Sequence, residues 1–381
     1  MQTSGYRVDA ARFLAKPTLA VLVEATARPE THGQGNDQPV VRAGLTSALR
    51  HWHAPSAIVT PDWHNQAVMF SIAQGLSLDA LERALGAIAA AHPLLRSRLD
   101  LAGQAWALGS SDGHPIAAKI VLPCIDQIDE DKSIERLCEA AQQSLDLAAG
   151  RLLAVRLICA RERDLLLLVG HHAAFDAVSW RIFIAELFLQ LDRPATPSGA
   201  CDLATLDAWV QEERTFRSER RPEIAHYLDA LRPLVPAHGH SPGDDVREQE
   251  MRAAWFALPH KQTERFRDAV AQSGLHAGAF LLAALASAWR TVDGGNTLWI
   301  DIEGHGRVRS GSAVDVSNSL GWFTTVTPVA IDSRTVPDWS ATEAVREALA
   351  RVPAHVQEIG IAPADLRAAG LAAPMLAYNY L

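Results

Sequence analysis

A chain of 381 residues, 48% of them hydrophobic, can bury more apolar surface than one core ordinarily organises, so two lobes are expected. A net charge of -9 with no basic run to offset it argues against nucleic acid as a partner. No apolar stretch approaches the roughly 20 residues of a membrane span, and the N-terminus lacks an export signal, so no membrane partner and a cytoplasmic location are expected. Cys124, Cys138, Cys159 and Cys201 show no CxxC spacing and read as reduced thiols.

In chain order, residues 5–27 carry an Arg/Phe-Leu stretch, a Lys16-Pro17-Thr18 corner and an apolar run, and RPETHGQGNDQPV over 28–40 has the composition of a linker. The main fold begins at 41. Ser77 is placed to cap a helix in which Leu78, Leu81, Leu85 and Ile88 share one face, and Ser133 to Leu147 predicts a second amphipathic helix. Leu152 to Ala160 and Leu165 to Val169 are apolar runs joined by the charged turn Arg161 to Asp164, which predicts a hairpin with its second strand buried on both faces. That strand ends in His171 and His172. Asp176 then stands at the N-cap of a helix, Ala177 to Leu191, that is apolar nearly all round.

Two charged helices are expected over 204–232, and residues 236–250 are rich in proline, glycine and charge without periodicity, as an internal boundary should be. A strand at Ala253 to Leu258, an amphipathic helix from Lys261 and an apolar helix Ala277 to Val292 follow. The turn Asp293 to Asn296 leads into the strand Thr297 to Glu303.

Adjacent strand residues point to opposite faces, so His171 and His172 are not expected to chelate one metal. His51 and His53 lack a matching ligand cluster, and no metal site is expected. Along Thr297 to Glu303, Leu298, Ile300 and Ile302 form one face while Trp299, Asp301 and Glu303 form the other. Glu303 therefore turns from the core as the strand ends, and the glycines of EGHGR let the backbone pass close to a ligand. The plainer alternatives are histidines held by backbone hydrogen bonds at a strand end and an exposed glutamate in a glycine-rich loop.

The stretch HHAAFDAVSW (His171 to Trp180) resembles the HHxxxDG signature of the condensation-domain superfamily of nonribosomal peptide synthetases. IDIEGHGR (Ile300 to Arg307) with DVSNSLGWFTTVTPVAI (Asp315 to Ile331) resembles the paired signature of its epimerization branch, and AYNYL (Ala377 to Leu381) is similar to that branch's FNYLG. DWHNQAVMF (Asp62 to Phe70) is similar to the family strand WNQSVLL. The resemblance implies an α/β (α+β) fold of the chloramphenicol acetyltransferase type: two lobes forming a V-shaped pseudo-dimer with an active-site tunnel between them. It places an N-terminal lobe at 41–235, an inter-lobe linker at 236–250 and a C-terminal lobe, truncated at its end, at 251–381. Residues 1–27 resemble the last helices of a peptidyl carrier protein, as a remnant fused before the main fold.

The implied activity is L-to-D epimerization at the alpha carbon of an aminoacyl or peptidyl thioester. No cofactor is bound by the chain itself; the phosphopantetheine arm is supplied by a partner peptidyl carrier protein, with neighbouring synthetase domains as further partners. Carried over by motif, His172 and Glu303 are the acid/base pair. His171, Asp176, Arg307, Asn379 and Tyr380 support them, Asp176 through a charge pair with Arg307, and Trp322 and Ser179 line the tunnel. The chemistry suits these types, because inverting a stereocentre needs two groups that exchange protons near neutral pH. Ala177 in place of the signature glycine, the loose match of GIAPADLRAAG to the family's GIGYGLLRYL and the early stop leave two alternatives: an amide-forming condensation domain, which needs HHxxxD but not EGHGR, and a noncatalytic, truncated carrier-docking remnant.

Overall fold

The computed structural model describes residues 7–8, 26–27, 42–52, 60–109, 116–121, 127–160, 163–193, 202–235, 253–332, 334 and 340–380. The carrier-like helices, the 28–40 linker and the 236–250 boundary lie outside these, apart from β1 (Arg7–Val8) and β2 (Thr26–Ala27), which pair antiparallel. The chain divides into one unit of Met1–Thr215 with Gly311–Thr324 and another of Phe216–Ser310 with Thr325–Leu381. The division thus falls at Thr215/Phe216 rather than within 236–250, and the second half of the sequence returns a segment to the first unit. The physical reason is apolar: Val316, Leu320 and Phe323 are buried in the first unit's core.

In the first unit, β3 (Arg42–Gly44) leads into the short helix α1 (Ser47–Trp52) and then β4 (Asn65–Ile72). Helix α2 (Leu78–Ala91) begins where Ser77 Oγ accepts a hydrogen bond from the Ala80 N–H, satisfying a first-turn donor. It buries Leu81, Leu85 and Ile88, each worth about 1.5–3 kcal/mol of apolar transfer. Strands β5 (Ser97–Asp100) and β6 (Ala105–Leu108) join β3 in a sheet of order β3-β6-β5. After β7 (Ala117–Val121) and helix α3 (Gln127–Gln143), the expected hairpin forms from β8 (Leu153–Cys159) and β9 (Asp164–His171). The sheet order is β4-β9-β8-β7, so β9 has a neighbour on both sides and all of its residues are buried. An unbroken leucine run suits that position because neither face meets water. Helix α4 (Ala177–Asp192) follows directly, and α5 (Leu203–Glu219) comes after it.

The second unit contains α6 (Arg221–Leu231), α7 (His260–Ser273) and α8 (Ala277–Asp293). Its sheet has β10 (Thr297–Gly304) between β11 (Thr325–Asp332) and the C-terminal β12, described below. Helices α9 (Ala341–Ala350), α10 (Ala354–Ile359) and α11 (Pro363–Ala368) lead to β12 (Leu376–Tyr378), which runs parallel to β10. Leu298, Ile300, Val329 and Ile331 meet Leu282, Ala283, Val345 and Val356 in its core. The strand expected at Ala253 to Leu258 does not form: this run makes no sheet pairing among the described residues, and Trp255 and Phe256 are 91% and 95% exposed. A β-prone sequence becomes a strand only where a neighbour pairs with it. No single helix among the described residues is long and apolar enough to cross a membrane.

Candidate active site

Strand β9 ends at His171, and the turn 172–174 carries the chain to the cap of α4. His171 is fully buried; its Nε2 donates to the Pro61 carbonyl (2.7 Å) while Nδ1 accepts from the Ala173 N–H (3.0 Å). Both ring nitrogens are thus engaged in one neutral tautomer. Burial pushes this imidazole down to about 4, against the pull of the Pro61 carbonyl. Both bonds fix the ring at the strand end.

His172 faces differently. Its backbone N–H donates to the His64 carbonyl (2.8 Å), and its ring stacks on Trp322 (3.9 Å between centroids) and on His64 (5.0 Å, 4° between planes). Nδ1 is buried with no partner at hydrogen-bond geometry; backbone groups of His172 and Phe175 lie near enough only to favour its charged form. Burial, helped by the neighbouring His64, pushes His172 down to about 4, with Asp176 opposing. At neutral pH the ring is therefore uncharged and able to accept a proton.

Asp176 is 2% exposed and caps α4: Oδ1 accepts from the Ser179 N–H (2.8 Å) and Oδ2 from the Phe323 N–H (3.1 Å). Ser179, expected on a tunnel wall, is instead fully buried. Its Oγ donates to the Gly321 carbonyl (2.8 Å) and accepts from the Gly321 N–H (3.0 Å), so both roles of the hydroxyl go to the returning segment. Asp176 and Ser179 together hold the 311–324 segment where Trp322 covers His172. Thr46 Oγ1 adds a bond to the Trp322 carbonyl (2.5 Å). Gly321 has φ of 151°, and a Cβ there would stand 2.6 Å from the Phe323 ring, so a side chain is excluded twice over. Ala177 costs nothing comparable: it is the first residue of α4, where a helical backbone suits alanine, and the only non-glycine with positive φ among the described residues is Gln104.

In the second unit, β10 sets Asp301 and Glu303 on one face two residues apart. The parallel register, Ile302 opposite Tyr378, brings Asn379 beside Glu303, and Asn379 Nδ2 donates to Glu303 Oε2 (2.5 Å). Burial raises the Glu303 carboxyl above its ordinary value. Burial together with the Glu303 charge pushes Asp301 up to about 7. Asp301 escaped the sequence reading of the site, although its position two residues before Glu303 was the available signal. Gly304, the last residue of the strand, leaves room for Thr325, whose Oγ1 a Cβ would approach to 2.8 Å, and beyond it Gly306 takes φ of 61°. Arg307, 4% exposed, donates its backbone N–H to His305 Nδ1 (3.1 Å). Tyr380 is 52% exposed, with its ring over Gly278 at the start of α8; Tyr378, which sequence reasoning also missed, donates its hydroxyl to the Gly278 carbonyl (2.7 Å). No cluster of three metal-ligating side chains occurs among the described residues.

A histidine pair ending a central strand, capped by an aspartate and covered by a segment from far along the sequence, belongs to the chloramphenicol acetyltransferase type of fold. Among solved structures, the epimerization domain from the third module of tyrocidine synthetase B matches with a TM-score of 0.75 at 23% identity, over 91% of this chain and 83% of that one. The first condensation domain of the calcium-dependent antibiotic synthetase, bound to a substrate analogue, matches with a TM-score of 0.68 at 20% identity, over 90% of this chain and 80% of that one. The family model of the condensation domain matches residues 50–360, and the chain belongs to that family. A linear gramicidin synthase of Brevibacillus parabrevis is 27% identical over 99% of this chain, which spans 5% of that relative. Chondramide synthase of Chondromyces crocatus is likewise 27% identical over 99% of the chain, here 10% of the relative's length.

Proposed function

We propose that the chain epimerizes, L to D, the alpha carbon of an aminoacyl or peptidyl thioester, with His172 and Glu303 as the proton-exchanging pair. The substrate rides on the phosphopantetheine arm of a partner peptidyl carrier protein, and neighbouring synthetase domains supply and receive it. The observation that carries this reading is Glu303 at the end of β10, hydrogen-bonded by Asn379 and with its proton affinity raised by burial. Neutral His172 takes the alpha proton from one face and becomes imidazolium. Glu303, whose carboxyl holds a proton more tightly than a free one, delivers a proton to the other face and becomes carboxylate, and exchange with solvent resets both. Burial lowers His172 to about 4 and raises Glu303 above the ordinary carboxylate value, so the order of the two proton affinities is reversed from that of the free side chains. Asp176, Arg307 and Tyr380 act as supporting groups in this scheme.

Likeness to a condensation domain supports a second reading, amide-bond formation using His172 alone. A carrier loaded with an L-aminoacyl thioester, offloaded and resolved by chiral chromatography, separates the two. Epimerization yields D product from the single carrier and loses it in Glu303→Gln. Amide product from a donor and acceptor carrier pair, with no D product from either, contradicts the proposal.

A further inference from the structure

Resting on that reading, we infer that His64 is a positioning residue for His172, holding the catalytic imidazole through a parallel ring stack and a backbone hydrogen bond. Three observations converge on it. The His64 carbonyl accepts the His172 N–H (2.8 Å), its ring lies parallel to His172 at 5.0 Å, and that ring is itself seated on Trp52 (5.3 Å) and Trp322 (5.5 Å). With Nδ1 of His172 lacking a partner at hydrogen-bond geometry, the ring stack takes the orienting part that a hydrogen bond to a carboxylate or carbonyl plays for many catalytic histidines.

An imidazole in this place does more than a phenyl ring could. When His64 carries a proton it disfavours one on His172, and it lies among the causes that lower the His172 value, after burial. The surrounding charges are otherwise occupied. Asp176 caps α4, Asp62 accepts from the Leu147 N–H, Asp315 accepts from the Ser317 N–H, and Arg50 pairs with Glu213; His171 is locked between Pro61 and Ala173, and His51 lies on α1. His64 is the imidazole whose ring lies parallel to the catalytic one, at 5.0 Å between centroids.

The test is a proton NMR titration of His172 in the wild-type chain, His64→Phe and His64→Ala, alongside deuterium exchange into a carrier-bound aminoacyl thioester. His64→Phe keeps a ring and removes the charge, so the His172 midpoint should move upward. His64→Ala removes an aromatic pair worth about 0.5–1.5 kcal/mol, so exchange should fall roughly twofold to tenfold. Full exchange activity in His64→Ala overturns the inference, as does a loss in His64→Phe as large as that in His64→Ala, since the phenyl ring keeps the stack. Absence of exchange in the wild type would count against the epimerase reading instead, and the titration would still decide the coupling of the two rings.

Discussion

His171 illustrates how much one buried side chain sets. Its folded value of about 4 lies below the ordinary histidine value of about 6.5, so the unfolded chain takes up a proton first as pH falls. Stability should therefore be lost between about pH 6.5 and about pH 4, by on the order of 3 kcal/mol for this fully buried ring. Urea denaturation at pH 7 and pH 5 reads roughly 2 kcal/mol of that loss. In His171→Gln it should shrink, and an unchanged pH dependence would contradict the assignment. Asn379→Ala removes the hydrogen bond to Glu303 at a half-open position, and about a tenfold fall in exchange is the upper bound expected. Equal rates would place Asn379 outside the chemistry. At this scale the motif residues were legible because alternation along a strand and known signatures mark them. His64 and Asp301 lie inside quoted motifs, in DWHNQAVMF and IDIEGHGR, yet neither is a signature position; strand alternation put Asp301 beside Glu303, while the His64 ring stack depends on the fold.

Strand β9 and the returning segment are the elements on which the histidine depends. A Cβ at Gly170 would lie 2.7 Å from the Phe175 ring and 2.9 Å from Trp180, two rings that stack on each other at 4.6 Å directly over the strand. Gly170→Ala should cost about 1–3 kcal/mol by overpacking, read as a lower denaturation midpoint, whereas an unchanged midpoint would show that those rings yield freely. Ser179→Ala leaves the buried Gly321 groups without their partner and should cost about 1–3 kcal/mol. It should also loosen Trp322 from His172, visible as a change in tryptophan fluorescence; an unaltered emission would contradict the clamp. The leucine run of β9 and the Asp176 cap could be read locally, since each obeys a short-range rule. The failed strand at Ala253 to Leu258 and the part played by Ser179 could not, because both turn on what a distant segment does.

For the chain as a whole, the least legible feature was its allocation between units. Composition and the linker-like 236–250 stretch suggest two consecutive lobes, yet residues 311–324 belong with the first unit. Nothing local marks that return: Val316, Leu320 and Phe323 are ordinary apolar residues whose partners lie more than a hundred positions away. The family signature spanning Asp315 to Ile331 fixed the importance of the segment but not its destination. Whether the chain exchanges an alpha proton is measured directly by deuterium wash-in at the alpha carbon of an aminoacyl thioester on a partner carrier protein. Wild type should incorporate deuterium with loss of chirality, while Glu303→Gln and His172→Ala should both be strongly slowed. A folded wild-type protein that leaves the alpha carbon unlabelled, or a Glu303→Gln variant that labels it at the wild-type rate, would contradict the two-group epimerase.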